Sequence, residues 1–230
     1  MPSLADRSVI VVGATGGLGR PLARLLADEG CRLTLVARDA DRVRDLGLPG
    51  VALGLDVRKQ ASAAAIVDAA LQAYGGIDGI VHAAGAVAFG SVADLPDEVL
   101  IDLFTLDTLA PIRLLRTAMP ALRTASSEGR DPFVVHVSAV VAEQPMPGMA
   151  AYSAAKAALM AYDAAASREL RRDGIRLLDA RPPHTETGLA TRPLAGQAPR
   201  LPQGLEPEAV AARIVAAIRD GEKDLPSTAF

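Results

Sequence analysis

Tyr152 and Lys156 stand four positions apart, a separation that places two side chains on one face of a helix. Such a pair can move protons. A phenol with a pKa near ~10 is a weak acid and, at neutral pH, a scarce base, but a neighbouring ammonium favours the phenolate and brings it into working range. The same spacing also decorates ordinary solvated helix faces, so its meaning depends on the elements that would position it.

Those elements begin near the other end of the chain. Residues 8–12 form a short, mostly β-branched run, followed by Gly13, Ala14, Thr15, Gly16, Gly17, Leu18 and Gly19, and residues 20–30 read as a helix. A bound pyrophosphate needs this order of strand, glycine turn and helix start. Glycine lets the backbone pass close to phosphates, and the free N–H groups of the helix start point at them. Glycines serving only strand-to-helix packing would give the same pattern. A second strand over 32–37 ends at Ala37, where a dinucleotide fold commonly carries an acid for the adenosine ribose. Ala37 followed by Arg38 instead leaves room for a 2′-phosphate and supplies a planar cation for it, which favours NADP(H) over NAD(H). Asp39 reads as the N-cap of a helix over 40–46.

A third strand over 51–55 closes on Asp56 and Val57. Asp56 either accepts from an adenine amino group or caps the helix over 58–74, which Gly75 and Gly76 end. A fourth strand over 77–82 leads into Ala83, Ala84 and Gly85, whose small side chains leave space for a cofactor, and His82 reads as structural. Residues 97–124 form a long helical stretch interrupted by Pro111 and Pro120. A fifth strand over 132–138, the helix carrying the Tyr–Lys pair to about 172, and a sixth strand over 175–181 follow. The stretch 182–207, rich in proline, glycine and arginine, reads as a lid over a ligand cleft. A helix over 208–219 and a tail that adds a short edge strand or frays complete the chain. The alternation predicts one domain over 1–230: a doubly wound parallel sheet, Rossmann-like, in three layers, with ligands at the carboxyl ends of the strands.

Composition agrees with this layering. Hydrophobic residues make up 50% of the 230 and aromatics only 3%, so the core must be built from Ala, Val, Leu and Ile. A net charge of −3, with arginines spread along the chain, argues against nucleic acid or an anionic membrane as partner and for a small molecule. Cys31 has no second cysteine to pair with, which fits a reducing, cytoplasmic setting. Residues 1–7 do not read as a secretory signal, no uncharged stretch reaches membrane-spanning length, and His82, His136 and His184 have no metal-ligand spacing.

Together, Gly13-x-x-x-Gly17-x-Gly19, Asp56-Val57, His82-Ala83-Ala84-Gly85 and Tyr152-x-x-x-Lys156 resemble the short-chain dehydrogenase/reductase family over about residues 8–187. The resemblance implies that Lys156 holds the nicotinamide ribose and lowers the Tyr152 pKa, and that Tyr152 exchanges a proton with the substrate oxygen while hydride passes to or from nicotinamide. It places Thr15, Gly16, Leu18 and Arg38 with the cofactor, and Pro182, Thr185 and Thr187 near its carboxamide and phosphates. It also implies a homodimer or homotetramer.

The departures from the family pattern are local. The serine expected thirteen residues before the tyrosine falls at Ala139, and Ser138 is one position off. Adjacent strand residues face opposite sides, so Ser138 substitutes only where the strand end is bulged or bent. Losing one such donor costs about 10²–10³ in rate, and His184 and Thr185 are candidate replacements. The asparagine expected in the long helix falls at Asp107, while Val12 and Pro183 stand where the family has threonine and glycine. The sequence therefore reads as an NADP(H)-dependent oxidoreductase acting on a carbonyl or alcohol, with Tyr152, Lys156 and Ser138 at its centre. The alternative is a catalytically impaired NADP(H)-binding protein with a regulatory role.

Overall fold

The computed structural model describes residues 3–230. Seven strands form one parallel sheet: β1 (Ser8–Val12), β2 (Arg32–Ala37), β3 (Val51–Gly54), β4 (Gly79–His82), β5 (Phe133–Val137), β6 (Arg176–Ala180) and β7 (Asp224–Leu225). Their spatial order is β3-β2-β1-β4-β5-β6-β7. Strand order reverses beside β1, and a crevice opens at the carboxyl ends there. The tail thus adds a parallel edge strand, Asp224–Leu225, paired with β6.

Both faces of the sheet are covered, and β1 shows why its run is continuously apolar. Val9 and Val11 pack on one side with α1 (Gly19–Asp28) and α7 (Pro207–Asp220). Ile10 and Val12 pack on the other with α3 (Gln60–Tyr74), α5 (Ala110–Ser127) and α6 (Ala150–Leu170). A strand with two buried faces has no solvent side for alternate polar residues. The short helix α2 (Ala40–Arg44) starts as expected, with the Asp39 carboxylate accepting from the backbone N–H of Asp41 and Arg42. Cys31 is buried and its thiol is pushed up to about 12, chiefly by burial, which makes it unreactive.

The long helical stretch departs from expectation. Pro111 does not break it: α4 (Asp97–Phe104) passes through a π-helical turn, Thr105–Leu109, into α5. A proline ring clashes with the carbonyl four residues back, here that of Asp107, and removes the N–H that would bond to it. Widening by one residue relieves the clash, and the Ala110 N–H bonds to the Thr105 carbonyl five residues back. Pro120 lies inside α5, which continues to Ser127. Asp56 does not cap α3, contrary to one of its two expected roles; the helix starts later, at Gln60, with Lys59 at its N-cap position. Among the described residues no helix is long and apolar enough to cross a membrane.

Candidate active site

The glycine turn leaves β1 with Gly13 at φ +83°, a conformation that favours glycine. Close approach matters as much as conformation. A Cβ on Gly13 would sit 2.7 Å from the Ala84 nitrogen, and one on Gly17 would sit 2.4 Å from the Thr187 carbonyl oxygen. The three strand-end segments can therefore converge on one groove only because these positions lack side chains. Helix α1 starts at Gly19 with no side-chain cap on its N-cap residue Leu18 and no carboxylate in its first turn. N–H groups at such a start are available to an anion, and the helix dipole favours one.

One cleft collects almost all of the residues singled out in the sequence. Its lining includes Gly13, Thr15, Gly16, Gly17, Leu18, Arg38, Asp56, Val57, Ala83, Ala84, Gly85, Ser138, Tyr152, Lys156, Pro182, Thr185 and Thr187. Gly19 lies behind the turn, where a Cβ would meet the Gly13 carbonyl oxygen at 2.0 Å, so its role is packing the helix onto the strand. Asp56 is held below the usual carboxylate range, first by its side-chain hydrogen bond from Arg58. That guanidinium donates 2.7 Å to Asp56 Oδ2 and 2.9 Å to Asp102 Oδ2. Arg38 is exposed at the cleft beside Arg42 and makes no ion pair among the described residues.

Tyr152 and Lys156 lie on the buried face of α6, with the lysine Nζ 5.9 Å from the tyrosine ring centroid. Lys156 donates to the Val137 carbonyl at 3.1 Å, a partner that sequence spacing gave no means to find. It also lies 3.4 Å from Asp107 Oδ1. The expectation that the lysine lowers the tyrosine differs from what the surroundings produce. The Tyr152 phenol is pushed well above its ordinary value, first by burial and then by the Asp107 charge.

The hydroxyl expected near the phenol is not brought there. Ser138 Oγ donates to Asp179 Oδ1 at 2.5 Å on β6, and Ala139 instead packs on the apolar cluster that contains Tyr152. The strand end keeps its alternation, so the neighbours face opposite sides. Thr185 Oγ1 donates to the Pro183 carbonyl at 2.9 Å, and the His184 ring lies beside Gly204, with Nε2 3.4 Å from Glu186. Neither offers its polar atom to Tyr152 in this arrangement. His82 is buried and held neutral by burial, while His136 Nδ1 is 2.8 Å from Asp163.

Beyond Tyr152 the cleft wall is apolar, formed by Val87, Phe89, Leu106, Val141 and Met149. No periodic signal marked Val87 and Phe89, which lie in a loop after β4. The connection from β6 to α7 closes over this wall. The Leu194 N–H bonds to the Val87 carbonyl and the Phe89 N–H to the Ala195 carbonyl, at 2.8 and 2.9 Å.

A doubly wound sheet with a glycine turn, and a Tyr–Lys pair at the strand ends beside its switch point, defines a dinucleotide-binding α/β protein. Residues 7–197 match the family model described as short chain dehydrogenase, and the chain belongs to that family of oxidoreductases. It is 34% identical over 207 residues to the monensin polyketide synthase putative ketoacyl reductase of Streptomyces virginiae, an alignment covering 86% of this chain and 78% of the relative. It is 28% identical over 201 residues to ipsdienol dehydrogenase of Ips pini, covering 84% and 79%. A short-chain dehydrogenase structure from Streptomyces avermitilis superposes with a TM-score of 0.85 at 26% identity, over 98% of this chain and 90% of the other. Another from Burkholderia cenocepacia, in complex with NADP, gives 0.84 at 24% identity over 98% and 97%.

Proposed function

We propose that this chain is an NADP(H)-dependent oxidoreductase that interconverts an apolar carbonyl compound and its alcohol, with Tyr152 as the proton-transferring group. The observation that carries the proposal is that Tyr152, Lys156 and the glycine turn open into one cleft. The residues present fit a dinucleotide, since the start of α1 has no side-chain cap and no carboxylate in its first turn, which leaves its N–H groups for phosphates, while Gly13 and Gly17 let the neighbouring segments close in around that turn. In this reading the glycine turn and the start of α1 hold the pyrophosphate, Lys156 the nicotinamide ribose, and Pro182 and Thr187 the carboxamide side. When bound, the nicotinamide supplies or takes up the hydride. Tyr152 gives the proton to the carbonyl oxygen in reduction and takes it from the hydroxyl in oxidation. The apolar wall binds a hydrocarbon body, and residues 182–207 act as the lid that excludes water from it.

Arg38, with Arg42 beside it, is the group assigned to the 2′-phosphate. Charge-assisted hydrogen bonds contribute about 1.5–3 kcal/mol, or roughly 10–100-fold in affinity. Arg38→Glu is therefore expected to weaken NADPH binding by at least about tenfold, leaving NADH binding unchanged or tighter. Fluorescence titration of both cofactors checks this, and equal loss for both would remove Arg38 from the specificity role. Cofactor oxidation measured against a panel of apolar ketones and of carboxylated ketones then tests the reaction and the substrate class together.

One observation favours the second reading, a cofactor-binding protein of low activity: the position beside Tyr152 holds Ala139, with no hydroxyl. Ala139→Ser places a donor on the Tyr152 side of the strand. If the site is catalytic and limited by that donor, turnover rises about tenfold, a fraction of the 10²–10³ such a donor contributes when fully aligned. No turnover in either form, with NADPH still bound, would favour the binding role.

A further inference from the structure

Asp107 is a carboxylate where a neutral side chain would raise no electrostatic question. Its side chain is fully buried, Oδ1 accepts from the Ala86 N–H at 3.1 Å, and the same oxygen is 3.4 Å from Lys156 Nζ. Oδ2 has no partner. The π-helical turn forced by Pro111 carries it inward, and Gly85 leaves it room, since a Cβ there would meet Oδ1 at 2.8 Å. Three separate features of the chain thus converge on keeping this oxygen beside the lysine.

The consequence concerns Tyr152. Lys156 is the cation that would favour a phenolate there, and Asp107, its own carboxyl raised by burial, sets an opposing charge 3.4 Å from that cation. The other titratable groups nearby are His82 at the end of β4, held neutral by burial, and His136 on β5, paired with Asp163 of α6. None of these replaces the charge that Asp107 cancels.

We propose that Asp107 is the counter-charge of Lys156, a positioning residue that adds to the burial of the ring in keeping Tyr152 a neutral phenol, so that the proton needed for carbonyl reduction stays loaded at neutral and mildly alkaline pH. This rests on the reading of Tyr152 as the proton donor. A catalyst leaves the reaction equilibrium untouched, so the effect lies in where the pH limbs fall in both directions, and not in the ratio of the two rates.

The test is Asp107→Asn, which keeps an oxygen for the Ala86 N–H and removes the charge. In the ligand-free protein, tyrosinate absorbance is followed against pH, with Tyr152→Phe subtracted to isolate the Tyr152 signal from Tyr74 and Tyr162. The expected result is a Tyr152 tyrosinate signal in the Asp107→Asn protein at least about one pH unit below the wild-type position, a tenfold change in ionisation. With cofactor and substrate, the alkaline fall of the reductive kcat/KM and the rise of the oxidative kcat/KM move down by the same amount. Wild-type positions for the tyrosinate signal, or a shift upward, overturn the proposal whether or not turnover is found. A shifted tyrosinate signal without turnover would sustain the counter-charge and place the failure in the assignment of the reaction. Asp107→Ser, smaller and also uncharged, serves if the amide variant fails to fold.

Discussion

Tyr152→Phe is expected to lower turnover by about 10²–10⁴-fold, the usual contribution of a positioned acid or base. NADPH affinity and melting temperature are expected to stay close to those of the parent. The ring is 6% exposed and packs with Met149, Ala155 and Val141, contacts that phenylalanine retains. Only the hydroxyl is lost, and with it the transferable proton. Single-turnover and steady-state assays with the best substrate of the panel check this, alongside NADPH titration. Turnover within a few-fold of the parent would remove Tyr152 from the chemistry and leave the cleft a binding site. A variant that also lost NADPH binding or melted early would show the hydroxyl to be structural.

The second large effect lies away from the chemistry. Arg181, at the end of β6, holds three carboxylates: Glu143, Asp179 at 2.7 Å and Asp224 at 2.7 Å. Its side chain is 9% exposed and that of Asp179 only 7%. Glu143 in turn accepts from the backbone N–H and the hydroxyl of Ser227, so the network ties the chain end to the strand ends that form the cleft. Removing one partner of a buried ion pair leaves the other uncompensated and costs about 3–5 kcal/mol. Arg181→Met, which keeps most of the aliphatic bulk, is expected to lower the melting temperature by roughly 10 °C.

That loss depends on pH, and its sign follows from the carboxylates. Asp179 is held above its ordinary range, first by burial, against the hydrogen bonds from Ser138 and Arg181. A carboxyl raised in the folded state is penalised as pH climbs above its unfolded value near ~3.9. Without Arg181 the penalty grows. Glu143, despite burial, is held below its ordinary range by Ser227 and Arg181, so its stabilisation is present at neutral pH and fades in acid. Both effects make the gap between parent and variant widest near neutrality and smallest as pH falls toward ~4. Thermal melts across that range check it, and a gap independent of pH would show the effect to be packing alone.

Much of the cleft was legible because its requirements are local. A tight strand-to-helix turn needs glycine wherever a Cβ would strike a neighbouring segment, and Gly13 and Gly17 meet Ala84 and Thr187 at such distances. The Tyr–Lys spacing is set by one turn of one helix. The layered sheet follows from strands with no solvent face, as Ser8–Val12 shows. Ser138 is the instructive intermediate case. Strand alternation already placed it and Ala139 on opposite sides, and only the structure gave the serine its destination, the carboxylate of Asp179.

The sequence by itself determined the doubly wound α/β layering, the glycine turn, the arginine after β2 and the pairing of Tyr152 with Lys156, because each is encoded over a few residues or by a repeating period. Tertiary structure alone decided what charges meet that pair. Pro111 reads in sequence as a helix breaker, yet packing on both sides keeps the helix and converts the break into a π-helical turn that carries Asp107 to Lys156. Residues 107, 152 and 181 share no local pattern. Beside the local pairs Tyr152–Lys156 and Asp179–Arg181, the charges that set their electrostatics are distant in the chain, Asp107 from Lys156 and Glu143 and Asp224 from Arg181, and such partners become neighbours only when the strands and helices pack.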